Sequence, residues 1–237
     1  VKNAFVDKNY DVQLNISPAL ETNLWRGGKS IIQFIFPLAN SSRAFGEEGK
    51  YIRPGYVILK QELGLFNKFF TSVETGLFNQ NRFGVSISND YFLNDNIVLN
   101  FQYAFTGSAW FGKEWKLGTM NTSTWSGKGS YYLKWIDTHI NLSVQRYLSS
   151  ETGVRFDLYR MFGETGIGVY GLIVDGSKNA GFNFRIPISP RKQNRKGKFR
   201  IALPNHFDWE YSASDIEDKA AYPKTQPTNR RRGYTEN

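Results

Sequence analysis

Few side chains in this 237-residue chain could carry covalent chemistry. It has no cysteine, which removes thiol catalysis, disulfides and zinc–thiolate sites, and only 2 histidines, His139 and His206. Neither histidine is flanked by a nucleophile motif that would make it the base of a hydrolase or acyl transferase. The carboxylates offer one alternative. Asp157 with a second acid such as Glu74 could act on a glycosidic bond, which needs the two groups about 5–9.5 Å apart. The glycines of "GIGVYG" (166–171) are not a nucleotide loop, because they lie within a strand-like run and no helix follows. They suit places where a sheet bends or a large side chain lies against it. On this reading the chain is not an enzyme, and no catalytic residue, metal or cofactor is expected.

Other residues suit recognition. Arg155, Asp157 and Tyr159 alternate with Phe156 and Leu158, and Arg185 alternates in the same way in a later run. Facing one lumen, these four would form an ion-pair and hydrogen-bond network or contact a polysaccharide. Trp110, Trp115, Trp125 and Trp135 could stack on sugar rings or sit in an interfacial aromatic girdle. The formal net charge of +9 and pI near 9.6 favour anionic partners such as lipopolysaccharide or acidic polysaccharide. Much of the excess is local, in "RKQNRKGKFR" (191–200) and "NRRRG" (229–233). No recognised motif frames either run, so nucleic acid is not an expected partner.

Strands must position these groups. Apolar residues recur at every second position through most of the chain, and helical periodicity is scarce. "IVLNFQYAF" sets Ile97, Leu99, Phe101, Tyr103 and Phe105 against Asn100, Gln102 and Ala104. Ile140, Leu142 and Val144 oppose Asn141, Ser143 and Gln145. Val57, Leu59, Leu63 and Leu65 oppose Lys60 and Glu62; Phe69, Val73 and Leu77 oppose Ser72 and Glu74. Between Thr106 and Gly129 the pattern loosens among Trp, Gly, Ser and Thr. "KFRIALPNHFDWEY" (198–211) is the last strand-like piece. Pro37, Pro187 and Pro204 each remove a ladder hydrogen bond and should mark strand ends or bulges. Past Ser212 the chain turns polar and weakly patterned, so 213–237 reads as a largely irregular tail.

No apolar run reaches the roughly 18 residues of a transmembrane helix. Mean hydropathy is −0.47, with 40% apolar and 16% aromatic residues. Alternation keeps the mean hydropathy of a membrane β-barrel low as well. The strands number roughly 12–14, many near 9–11 residues, the length a tilted strand needs to cross a bilayer. Soluble sheets use strands of about 5–6 residues. The polar positions favour Ser, Asn, Gln, Gly and Tyr over charges, which suits a crowded wet lumen. The expected fold is all-β: an antiparallel transmembrane β-barrel over 1–212 with its wall against lipid, with a soluble β-barrel or sandwich as the alternative on this pattern alone. The opening "VKNAFVDKNYD" lacks a signal-peptide pattern, so the barrel could be one domain of a longer parent.

"RYLSSETGVRFDLYRMFGETGIGVYG" followed by "GFNFRIPIS" resembles the C-terminal signature of the YjbH/GfcD-type outer-membrane proteins, which are associated with exopolysaccharide and capsule export in Gram-negative bacteria. Arg146, Tyr147, Leu148, Gly153, Arg160, Phe162, Gly166, Gly168, Ile186 and Pro187 carry the likeness. It is close over 146–187 and loose elsewhere. Members of that family are longer, and this sequence ends in "GYTEN" without the aromatic end of an outer-membrane strand. The resemblance implies an outer-membrane barrel tied to surface polysaccharide, alongside other envelope proteins, with no established catalytic residues. The alternative is a barrel subunit that scaffolds a larger secretion or surface-attachment complex. Strict alternation sets Arg160 toward lipid with Phe156 and Leu158. An arginine at mid-bilayer costs about 2–4 kcal/mol, so Arg160 should lie at the rim or behind a bulge. The basic run 191–200 and the tail should lie outside the hydrocarbon, with Arg230, Arg231 and Arg232 docking on an acidic partner surface.

Overall fold

The computed structural model describes residues 13–40, 47–79, 82–187 and 206–212. These residues form one antiparallel sheet of 13 strands. The strands are β1 (Gln13–Ile16), β2 (Ala19–Trp25), β3 (Gly28–Asn40), β4 (Arg53–Phe66), β5 (Phe69–Asn79), β6 (Arg82–Phe92) and β7 (Ile97–Phe111). Then follow β8 (Trp115–Leu133), β9 (Thr138–Arg146), β10 (Thr152–Phe162), β11 (Thr165–Val174), β12 (Ser177–Pro187) and β13 (His206–Ser212). The chain is thus all-β, within the expected range of strand number. From β4 to β12 the strands run from 9 to 19 residues.

From β3 onward each strand pairs with the next in sequence. At the start, β1 and β2 share one edge of β3: β1 pairs with 36–40 and β2 with 28–33. Between them Pro18 accepts a backbone hydrogen bond from Phe34, 3.2 Å. The 13 strands therefore fill 12 positions (13 − 1). Among the described residues no ladder joins β13 to β1 or β2, so the sheet has two edges.

Turn chemistry explains the tight hairpins. Asp175 and Gly176 both take positive φ, 46° and 78°, as a two-residue type I′ connection requires. Asn94 closes the β6–β7 turn by accepting from the backbone N–H groups of Asn96 and Ile97, both 2.9 Å.

The alternation read from sequence sorts the two faces. Leu99, Phe101, Tyr103 and Phe105 are exposed, whereas Ala104 and Thr106 between and beside them are buried. Val154, Phe156 and Leu158 repeat this on β10, as do Ile167, Val169 and Ile173 on β11. One reading needs correction. The 106–129 stretch is not irregular; it belongs to the long β7–β8 hairpin. Register shifts on either side of Gly107 disturb the β7–β8 pairing, and Ala109 and Phe111 are buried against Leu77 and Phe83 while Trp110 is exposed. Leu77 keeps the face expected for it, opposite Val57 and in line with Thr75, but it is only 7% exposed because Ala109, Phe111 and Phe83 pack against it. The register shift on β5 falls after it, between Leu77 and Asn79.

The prolines fall as expected where they are described. Pro37 lies beside the Leu14/Asn15 register shift of β1, and Pro187 is the last residue of β12. Pro204, the 191–200 run and the tail with Arg230, Arg231 and Arg232 lie outside the described residues.

Gly84 holds φ 152°, and a Cβ there would strike the carbonyl oxygen of Phe105. Gly127 meets nothing within 4 Å. Gly84→Ala should lose about 1–3 kcal/mol of stability while Gly127→Ala changes little, read from urea unfolding in detergent micelles by tryptophan fluorescence.

Candidate functional site: the polar face of the sheet

Strand register gathers the buried polar side chains on one face. Ser72, Ser88, Gln102, Ser126 and Gln145 stand opposite one another on five successive strands, β5 to β9. Around them lies a floor built mainly of amides and hydroxyls, with Asp90 and Lys128 on either side of Asn100. Gln102 donates to Ser86 at 3.0 Å, Ser130 to Asn141 at 2.7 Å, and Gln145 to the Tyr147 hydroxyl at 2.5 Å. Asn100 bridges Ser88 at 3.2 Å and the Asp90 carboxylate at 2.7 Å. Buried polar groups in such a place cost little only when they are satisfied in this way.

An ionic cluster flanks the floor on the β3–β5 side. Lys60 is 2% exposed, and its Nζ lies 2.6 Å from Glu62 and 3.7 Å from Glu74. Lys29 reaches the other oxygen of Glu62 at 3.5 Å. Two lysines and two glutamates balance, so this crowded part of the face carries no net charge. Register explains the contact: Lys29, Lys60 and Glu74 are directly opposed on β3, β4 and β5.

The opposite flank contains the four polar residues singled out in the sequence. Arg155 donates from Nε and Nη2 to one oxygen of Asp157, at 3.0 and 2.9 Å, and its guanidinium lies 4.1 Å above the Tyr170 ring. Tyr159 lies across Gly166 and Gly168, where a Cβ at either position would strike its ring. Arg185 stands on the same face, opposite Gly166. All four therefore share one face, with Arg155 and Asp157 in contact.

Tyr147 is 1% exposed and packs with Tyr170, Leu172 and Val174. Gly153 makes room for it, since a Cβ there would stand 2.9 Å from the Tyr147 ring. The sequence-motif glycines thus receive tyrosine rings. Arg146 ends β9 opposite Trp125, and Phe162 ends β10. Arg160 remains on the apolar face, two residues from the end of β10, with its guanidinium 5.0 Å above the Phe162 ring. The β9–β10–β11 register is unbroken, so Arg160 is a strand-end residue and no bulge turns it.

The acid pair considered for glycoside cleavage is not assembled. Glu74 lies on β5 and Asp157 on β10, with four strands between, and each carboxylate faces its own cation. His139 stacks on Tyr132 at 4.5 Å between ring centroids, and the Tyr132 hydroxyl donates to Asp137 at 2.7 Å. Trp110 and Trp115 lie at one end of the β7–β8 hairpin, Trp125 within β8, and Trp135 just past the other end. They do not converge on the polar floor.

Comparison with known proteins gives no match to a protein family, a curated protein or a solved structure.

The ionic cluster was not assembled in the sequence reading, although counting back from the Asn67–Lys68 turn leads toward the Lys60–Glu74 pairing. Lys60→Met takes the nearby counter-charge from buried Glu74 and should cost about 3–5 kcal/mol. The double variant Lys60→Met/Glu74→Gln should recover part of that loss in the same urea titration.

Proposed function

We propose that this chain forms the wall of a bacterial outer-membrane β-barrel that serves the export or assembly of surface polysaccharide, acting by passage and binding without catalysis. One observation carries the membrane part. Among the described residues 40 large apolar side chains are exposed, while the buried set holds 15 polar or charged residues and only 11 apolar ones. Soluble monomers rarely expose contiguous apolar patches beyond a few hundred Å². Hydrocarbon is the solvent that such a surface matches.

In hydrocarbon an unpaired sheet edge costs several kcal/mol per backbone group, so the sheet must close. Twelve positions make an even number, and the first and last positions of an antiparallel path then run in opposite directions. β13 can meet β1 and β2 by an ordinary antiparallel ladder. The uncharged amides and hydroxyls of the polar face offer donors and acceptors to sugar hydroxyls, with Tyr159 and Tyr170 beside them. The resemblance of 146–187 to the YjbH/GfcD-type proteins supports surface polysaccharide as the cargo.

The membrane reading expects extraction only with detergent and a heat-modifiable gel band; a chain that stays soluble and monomeric in buffer overturns it. Closure is read separately, because the sequence has no native cysteine to interfere. Thr22→Cys combined with a cysteine scanned along 207–211 should give an intramolecular crosslink on oxidation. Crosslinked dimers alone would instead place a second copy at the edges. Deletion of the gene should lower surface polysaccharide; unchanged polysaccharide with loss of a large envelope complex would assign a scaffolding role.

A further inference from the structure

We propose that a pocket on the apolar face, beneath the tip of the β7–β8 hairpin, holds one hydrocarbon chain of a membrane lipid; this inference rests on the membrane reading above. The pocket has a volume of about 460 Å³, within the roughly 300–1,000 Å³ of small-ligand sites. Phe34, Val57 and Val85 line it from the wall, and Phe111, Leu117 and Met120 from the hairpin.

Backbone irregularities build this space. Register shifts occur at Ile32/Phe34 on β3, Leu77/Asn79 on β5 and Thr106/Gly107 on β7, all close to it in the sheet. Gly76 and Gly84 line it with φ of 127° and 152°, and a Cβ on either would strike a neighbouring strand's carbonyl oxygen. Phe111 packs against Leu77 and so closes the lining from the hairpin side.

The chemistry of the lining selects the occupant. Among the described residues the lining offers only the Thr75 hydroxyl and the Trp115 indole N–H as side-chain hydrogen-bonding groups, and the Thr75 hydroxyl already donates to the Gly84 carbonyl at 3.2 Å. Among the described residues no charged side chain lines the pocket, and β5 and β6 spend their backbone groups on the ladder between them. A peptide segment placed here would leave its own N–H and C=O groups without partners, at several kcal/mol each. A sugar would lose the hydrogen bonds of its hydroxyls in the same way. An acyl chain has no such groups to satisfy. The wall side of the pocket is continuous with the exposed apolar band through Val57 and Val85, so a lipid reaches it from the surrounding hydrocarbon. The hairpin side chains would retain that lipid longer than the freely exchanging lipid along the rest of the wall.

The full chain is placed in nanodiscs of phosphatidylethanolamine and phosphatidylglycerol, re-extracted in detergent, and its retained phospholipid counted by native mass spectrometry. The wild type should keep about one lipid per chain. Val85→Trp, which fills the pocket, should keep almost none, while Val169→Trp on the same face of β11 should match the wild type. A wild type that keeps no lipid, or a folded Val85→Trp that keeps as much, overturns the proposal. If Val85→Trp fails to fold, quenching by mid-chain brominated lipid decides. After re-extraction it should dim the wild type more than Trp115→Phe, and equal quenching overturns the proposal. A chain that never enters the nanodisc refutes the membrane reading and this inference with it, an outcome distinct from an inserted chain with an empty pocket.

Discussion

The antiparallel hydrogen-bond ladder running without interruption of order from β3 to β13 is the constraint on which everything else rests. Each internal strand meets its backbone needs through its two neighbours. The fold then needs no separate layer to cover polar main chain, and its two faces are free to be chosen independently. One face takes Phe, Leu, Val and Ile; the other takes Ser, Thr, Asn, Gln and paired charges. A soluble sheet buries the first and wets the second. Here the distribution is reversed, and the ladder tolerates the reversal because its own hydrogen bonds do not depend on the solvent.

The crowded polar face is made compatible with burial in three ways. Amides and hydroxyls pair with each other across strands. Charges at the two flanks are paired, where Lys60 meets Glu62 and Glu74, and Arg155 meets Asp157. Large rings are given room by glycine, with Tyr147 against Gly153 and Tyr159 against Gly166 and Gly168. The third device explains why glycines cluster in strands that otherwise favour branched and aromatic residues. Each glycine forgoes side-chain packing of its own in exchange for a flat ring laid across the backbone.

Much of this was legible in the sequence because period 2 is a local property. The exposed row from Ile97 to Phe105 follows from adjacent residues alone, as does the shared face of Arg155, Asp157 and Tyr159. What escaped depends on register between strands or on a break in phase. The 106–129 stretch looked irregular because the β7–β8 register shifts around Gly107 and because Ala109 and Phe111 are covered by residues of other strands. Leu77 holds the face that its position predicts, yet Ala109 and Phe111, two strands away, cover it. The Lys29–Lys60–Glu62–Glu74 cluster joins three strands whose alignment includes a register shift, which no single stretch records. The pocket on the apolar face is invisible in the sequence for the same reason, since it arises where several such breaks fall side by side.

The division of the first position between β1 and β2 has a mechanical meaning. The β6–β7 ladder joins 11 residue pairs in unbroken register, whereas β3 holds β1 through 4 pairs and β2 through 6, with Pro18 between. A tension applied along the chain from its N-terminal side would meet these short blocks one after the other, each releasing alone, before it loaded any full-length ladder. The sheet is therefore anisotropic under load: compliant where the chain enters and stiff through its middle, so a pull from that side would peel it stepwise before it could shear it as a unit.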